Sequence, residues 1–131
     1  MIVLDTHALL WWVSGSARLS VRARREVAKA LRLGPVAASA ISLFEIATAV
    51  RRGRLDLGLP VPEWFAELQR IAELRIEPVG AHIARLAGDF PKSVPGDPAD
   101  RIIAATALAL QAKLVTADAK LRGLPQLESV W

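Results

Sequence analysis

The first hydrophobic run, MIVLD over residues 1–5, is unbroken and ends in an acid. An unbroken apolar run of this length predicts a strand buried on both faces, because a half-exposed strand would alternate. Residues 6–13 predict a short helix carrying Leu9, Leu10, Trp11 and Trp12, broken by Ser14, Gly15 and Ser16. Ser20 is placed to cap a second helix over 21–33. Its Val21, Val27, Ala28 and Leu31 are expected to face inward, with Arg22, Arg24, Arg25 and Lys29 on the other face. Gly34 and Pro35 close it, and VAAS (36–39) is a brief second strand.

Ser42 is expected to start a helix through Leu43, Phe44, Ile46, Ala47 and Val50, closed by Gly53. After a loop over 55–62, residues 63–73 are amphipathic, with Trp64, Phe65, Leu68 and Ile71 on the apolar side. Residues 75–79 suit a third strand, 81–89 a helix, and 91–98 a proline-rich loop. Residues 99–112 are apolar almost all round after the first turn, the pattern of a helix buried against a sheet. Residues 114–116 form a fourth strand, 119–122 a single helical turn, and 127–130 a last strand.

Short apolar strands alternating with helices predict an α/β fold. Its parallel sheet has four to five strands, joined by right-handed crossovers and flanked by helices on both faces. In such sheets ligands collect outside the carboxyl ends of the strands, at a topological switch point. The 131 residues, without repeat or linker, fit a single domain over 1–131.

Composition narrows the chemistry. Hydrophobic residues make up 53% of the chain, too many for disorder. With no cysteine, disulfides, zinc–thiolate sites and thiol catalysis are excluded. His7 and His82 are the only histidines, too few for a histidine-built zinc site. Residues 1–13 lack a basic leader and are too short to span a bilayer, so the expectation is a cytoplasmic protein without membrane contact. A net charge of +4 favours polyanionic partners, nucleic acid first among them.

The 13 acids then become informative by position. Asp5 ends the first strand, and Glu45 lies in the first turn of the helix after the second strand. Asp97 and Asp100 open the buried helix, and Asp118 follows the fourth strand. Singly, each has a simpler role. Asp5, Asp97 and Asp118 suit N-caps, Ser42 with Glu45 a capping box, and Asp100 the helix dipole. Jointly, Asp5, Glu45, Asp100 and Asp118 are expected at one rim of the sheet. Several carboxylates in a partly desolvated cleft repel one another unless protonated or bridged by a cation. Oxygen donors without cysteine select a hard ion, Mg²⁺ or Mn²⁺, which meets its substrate through phosphate oxygens. A basic protein with an acidic metal cleft suits phosphodiester chemistry.

Four segments carry a family resemblance: IVLDTHALLW (2–11), SAISLFEI (39–46), GDPADRIIAA (96–105) and LVTAD (114–118). Their order and spacing resemble PIN-domain proteins, specifically the ribonuclease toxins of the VapBC class, over almost the whole chain. The resemblance implies a PIN-domain fold with five parallel strands and a catalytic quartet at Asp5, Glu45, Asp100 and Asp118. Asp5, Asp100 and Asp118 would hold Mg²⁺ or Mn²⁺, and Thr6, Asp97 and Thr116 would support them. It further implies endonucleolytic RNA cleavage as the toxin of a type II toxin–antitoxin system, a cognate antitoxin protein as partner, and a homodimer. A catalytically silent PIN-type RNA-binding or scaffold module is the alternative.

The remaining residues have plainer expectations. The arginines of the second helix form a solvated face. Arg51, Arg52 and Arg54 sit at the end of the Glu45 helix far from the acids. His7 is expected to be partly buried and hydrogen-bonded, and the tryptophans to serve core or interface. Arg101 is assigned a structural role. A receiver domain would need an acidic pair after the first strand, and a haloacid-dehalogenase-type phosphatase a second aspartate where His7 stands. No glycine-rich phosphate loop occurs.

Overall fold

The computed structural model describes residues 1–131. Its five strands are β1 (Ile2–Leu4), β2 (Val36–Ser39), β3 (Leu74–Glu77), β4 (Lys113–Val115) and β5 (Ser129–Val130). They form one sheet, ordered β3-β2-β1-β4-β5 and parallel throughout. The helices are α1 (Thr6–Ser14), α2 (Val21–Leu31), α3 (Ala40–Arg51), α4 (Val61–Gln69), α5 (Ala81–Asp89) and α6 (Pro98–Ala109). The chain builds outward from β1 to β3, then crosses back to β4 on the other side of β1. The carboxyl ends of β1 and β4 therefore flank the switch point, where a parallel sheet opens a crevice.

Both faces are covered, as the unbroken apolar strands require. Ile2, Leu4, Val36, Ala38 and Val115 point into one core with Leu9, Val27, Ile46 and Leu68. Val3, Ala37 and Leu114 point into the other, against Ile103, Ala104 and Ala107 of α6. The alanines let that helix lie close to the sheet, and Ile83 and Ala87 of α5 pack behind it on Ala105. Gly15 ends α1 at φ 66, a left-handed cap that suits glycine.

The α2 stripe differs from expectation. Ala23, Val27 and Leu31, spaced four apart, turn inward, whereas Val21 is 62% exposed and Ala28 is exposed. Val21 and Ala28 lie roughly 100–120° round the helix from the centre of that stripe, so apolar character alone misplaced them. Residues 119–122 form a hydrogen-bonded turn, with the amides of Leu121 and Arg122 both donating to the Asp118 carbonyl at 3.0 Å. No helix is long and apolar enough to cross a membrane.

Candidate active site

Asp5 stands where β1 becomes α1. Its amide donates to the Val115 carbonyl at 3.1 Å, extending the β1–β4 pairing by one residue. Its carboxylate caps α1, accepting from the Ala8 amide at 2.8 Å. Asp5 is thus both a helix cap and a cleft residue, since the two roles use different lone pairs. It is only 6% exposed. Burial pushes its carboxyl pKa up, while the Thr116 hydroxyl, the Ala8 amide and His7 pull it down and Asp118 pushes it up.

Glu45 reaches the site from α3, but from its second turn. Ser39 caps this helix, its hydroxyl accepting from the Ile41 amide at 3.1 Å, so α3 begins before Ser42. The expected capping box of Ser42 and Glu45 is therefore absent. Spaced three apart, the two residues share a helix face. Both meet Thr6, whose hydroxyl donates to Glu45 Oε1 at 2.5 Å and lies 2.9 Å from the buried Ser42 hydroxyl. Thr6 has one proton to give, so Ser42 donates in the second contact. Ser42, expected as a cap, instead braces Thr6 beside Glu45.

Asp97 caps α6, accepting from the Asp100 amide at 3.1 Å, with Pro98 at the first helical position. Asp100 is carried one turn further in. Burial, then Asp97 and Asp118, push its pKa up to about 6; Lys120 opposes them and Glu45 adds a smaller push. Asp118 follows β4, its amide donating to the buried Thr116 hydroxyl at 3.0 Å and its carboxylate accepting from the Lys120 amide at 2.9 Å.

Asp5, Glu45, Asp100 and Asp118 line one cavity of about 770 Å³. Asp97 and Thr116 stand outside that lining and are joined to it through the amides of Asp100 and Asp118. No three ligand-type side chains converge closely enough to form a ready-made metal cage. The chemistry still fits a hard cation: the four acids offer oxygen donors, and burial together with neighbouring carboxylates disfavours the charge of Asp100. Arg18 and Arg54 line the same cavity. Arg54 was expected far from the acids. The turn after α3, closed by hydrogen bonds from Gly53 and Arg54 to Val50 and Ala49, folds it back to the cavity.

His7 also departs from expectation. It is exposed, and its ring lies 5.5 Å from that of Trp11 rather than in a buried hydrogen-bond network. Its position on the first turn of α1 turns it outward while Ala8 and Leu9 take the core. Trp11 in turn meets Trp131 at 5.6 Å, both half-buried. Arg101 is structural, as expected. Its guanidinium donates to the carbonyls of Ala87 at 2.9 Å, Phe90, Val94 at 3.3 Å and Pro95 at 3.4 Å, tying the end of α5 and the following loop to α6.

A parallel α/β sheet with an acid-walled cleft at its switch point defines the class: proteins that gather carboxylates from separate strand and helix ends. The PIN domain family model matches residues 2–127. The chain belongs to the PIN-domain family. It is 39% identical to Ribonuclease VapC22 of Mycobacterium tuberculosis, over 99% of this chain and 98% of that protein. Solved structures share the fold. VapBC2 from Rickettsia felis, bound to a DNA fragment from its promoter, aligns with TM-score 0.70 and 19% identity, covering 99% of this chain and 98% of its own. A toxin–antitoxin complex from Klebsiella pneumoniae aligns with TM-score 0.63 and 23% identity, covering 100% and 97%.

Proposed function

We propose that this chain is a Mg²⁺- or Mn²⁺-dependent endoribonuclease acting in the cytoplasm as the toxin of a type II toxin–antitoxin pair, held in check by a separate antitoxin protein. Full-length likeness to a protein named a ribonuclease supports the activity. The toxin–antitoxin complexes among the fold relatives support the partner. The observation that carries the reading is the meeting of four carboxylates, from the ends of β1 and β4 and from α3 and α6, on the wall of one cavity.

Asp5, Asp100 and Asp118 would hold the cation. Such an ion supplies charge neutralisation at the phosphate and lowers the pKa of a water. Thr6 and Ser42 hold Glu45 on the same wall, so its carboxylate is oriented before substrate arrives. Asp97 and Thr116 fix the backbone positions of Asp100 and Asp118. Arg18 and Arg54, cationic and on the cavity wall, suit the phosphates either side of the cut. Each protomer carries the whole acid wall, so a homodimer would present two such sites.

One observation favours a second reading. The carboxylates do not form a ready-made cage, which a module that only binds RNA would not need. Incubating a labelled RNA pool with the protein and Mg²⁺ or Mn²⁺, with and without EDTA, separates the two. The nuclease reading expects ion-dependent fragments with 5′-phosphate and 3′-hydroxyl ends. RNA that binds but stays intact at every ion concentration leaves the silent module standing instead.

A further inference from the structure

A second groove, of about 430 Å³, shares the turn after Asp118 with the acidic cavity. Arg22 from α2, Arg122 from the turn after Asp118, and Trp131 line it. Both arginines are exposed and neither takes part in an ion pair, so both charges are free for a ligand. Two structural links join this groove to the cavity. The first is the Asp118 turn. Asp118 lines the cavity, and Ala119 and Arg122 line the groove, held together by the amide-to-carbonyl bonds at 3.0 Å. The second is aromatic. His7 and Trp11 line the cavity, and Trp11 packs on Trp131, which borders the groove.

We propose that the groove between Arg22, Arg122 and Trp131 is a second RNA subsite, holding the sugar–phosphate backbone of nucleotides that lie beyond the acidic cavity. The choice of RNA as the polyanion rests on the ribonuclease reading; the site itself rests on the groove. A strand leaving the acid wall over the Asp118 turn reaches two unpaired guanidinium groups and an indole. Guanidinium matches phosphate, and a partly exposed indole offers a stacking surface for a base. The carboxylates of the cavity repel the backbone in the absence of a cation, so a neighbouring basic subsite supplies the grip that they cannot.

The test is fluorescence anisotropy of a labelled single-stranded RNA of about 16 nucleotides, titrated with the protein in EDTA over a range of salt. Binding is then read independently of cleavage. The Arg22→Gln/Arg122→Gln variant is expected to bind about tenfold more weakly, with a log K against log salt slope shallower by about 1.4, two phosphate contacts' worth. Arg70→Gln/Lys92→Gln, the same charge change elsewhere on the surface, is expected to keep the parent slope. Equal losses in both variants would reduce the groove to general basicity and overturn the proposal. So would an unchanged Arg22/Arg122 variant, or a parent that binds no RNA. Loss of poly-glutamate binding with RNA binding intact would make it a protein-docking surface instead, and the RNA subsite would fall. The expected loss in the Arg22→Gln/Arg122→Gln variant, together with a parent that cuts no RNA with Mg²⁺, keeps the subsite and removes the nuclease reading.

Discussion

The Thr6 hydroxyl, in the first turn of α1, donates to the carboxylate of Glu45 on α3 at 2.5 Å, across 39 positions of sequence. A hydroxyl in the first turn after the strand carrying Asp5 thus sets the orientation of an acid from another helix. Ser42 steadies the pair from the same helix face. Thr6→Val removes the donor while keeping the shape. RNA cleavage is expected to fall by about 10- to 100-fold, the usual cost of losing a group that orients a site residue. Thr6→Ser should retain most of the rate. Cleavage assays on a labelled RNA check both, and a fully active Thr6→Val variant would separate Glu45 from the chemistry.

Asp5→Asn and Asp100→Asn are expected to reduce cleavage by about 10³-fold or more while the fold survives. Asparagine still caps α1 at position 5. The buried Asp5 carboxylate is also relieved of its charge, so the metal-free variant should be at least as stable as the parent. Paired thermal unfolding and cleavage measurements check this. A marked loss of stability in EDTA would mean that the charge of Asp5 serves the fold.

The Asp100 pKa of about 6 has a definite sign in stability. Its folded value exceeds its ordinary value of 3.8, so between those limits the folded state holds more proton than the unfolded one. The contribution is full below about pH 4 and is lost as pH rises through 6. Because Asp100 is half-exposed, the effect is on the order of 1 kcal/mol after solvent screening. In EDTA, Tm should therefore fall over that window by more in the parent than in Asp100→Asn. Identical pH profiles would remove the raised Asp100 pKa from the account.

Divalent cation binding should reverse that loss. Carboxylate ligands must be deprotonated, so Mn²⁺ is expected to raise Tm at pH 7 and to do so far less at pH 5. The Asp5→Asn variant should lose most of the pH 7 gain. An equal shift in parent and variant would place the ion elsewhere.

Arg101→Ala should destabilise the chain by about 2–3 kcal/mol in urea unfolding, because it strips a charged donor from carbonyls of Ala87, Phe90, Val94 and Pro95 at once. Arg101→Lys is expected to recover only part of this, since an ammonium cannot reproduce the planar fork. A neutral Arg101→Ala would mean that water satisfies those carbonyls equally well.

The hydrophobic pattern alone determined the strands, the helices and their layering. Unbroken runs such as MIVL and VAAS, and the nearly all-apolar α6, bury both faces only in a covered parallel sheet, and the period of a pattern survives in any one-dimensional reading. It also put Asp5, Glu45, Asp100 and Asp118 at one rim, since strand ends share an edge. Tertiary structure decided what each side chain does there. Val21 faces water and Ala23 the core because helix phase is fixed by what the helix packs on. Ser42 meets Thr6 because Ser39 took the cap. Arg54 reaches the cavity, and Arg22 and Arg122 come to line one groove, through backbone bends that composition does not encode. Those contacts join residues far apart in sequence, and only packing in three dimensions can bring them within hydrogen-bonding or Coulombic reach.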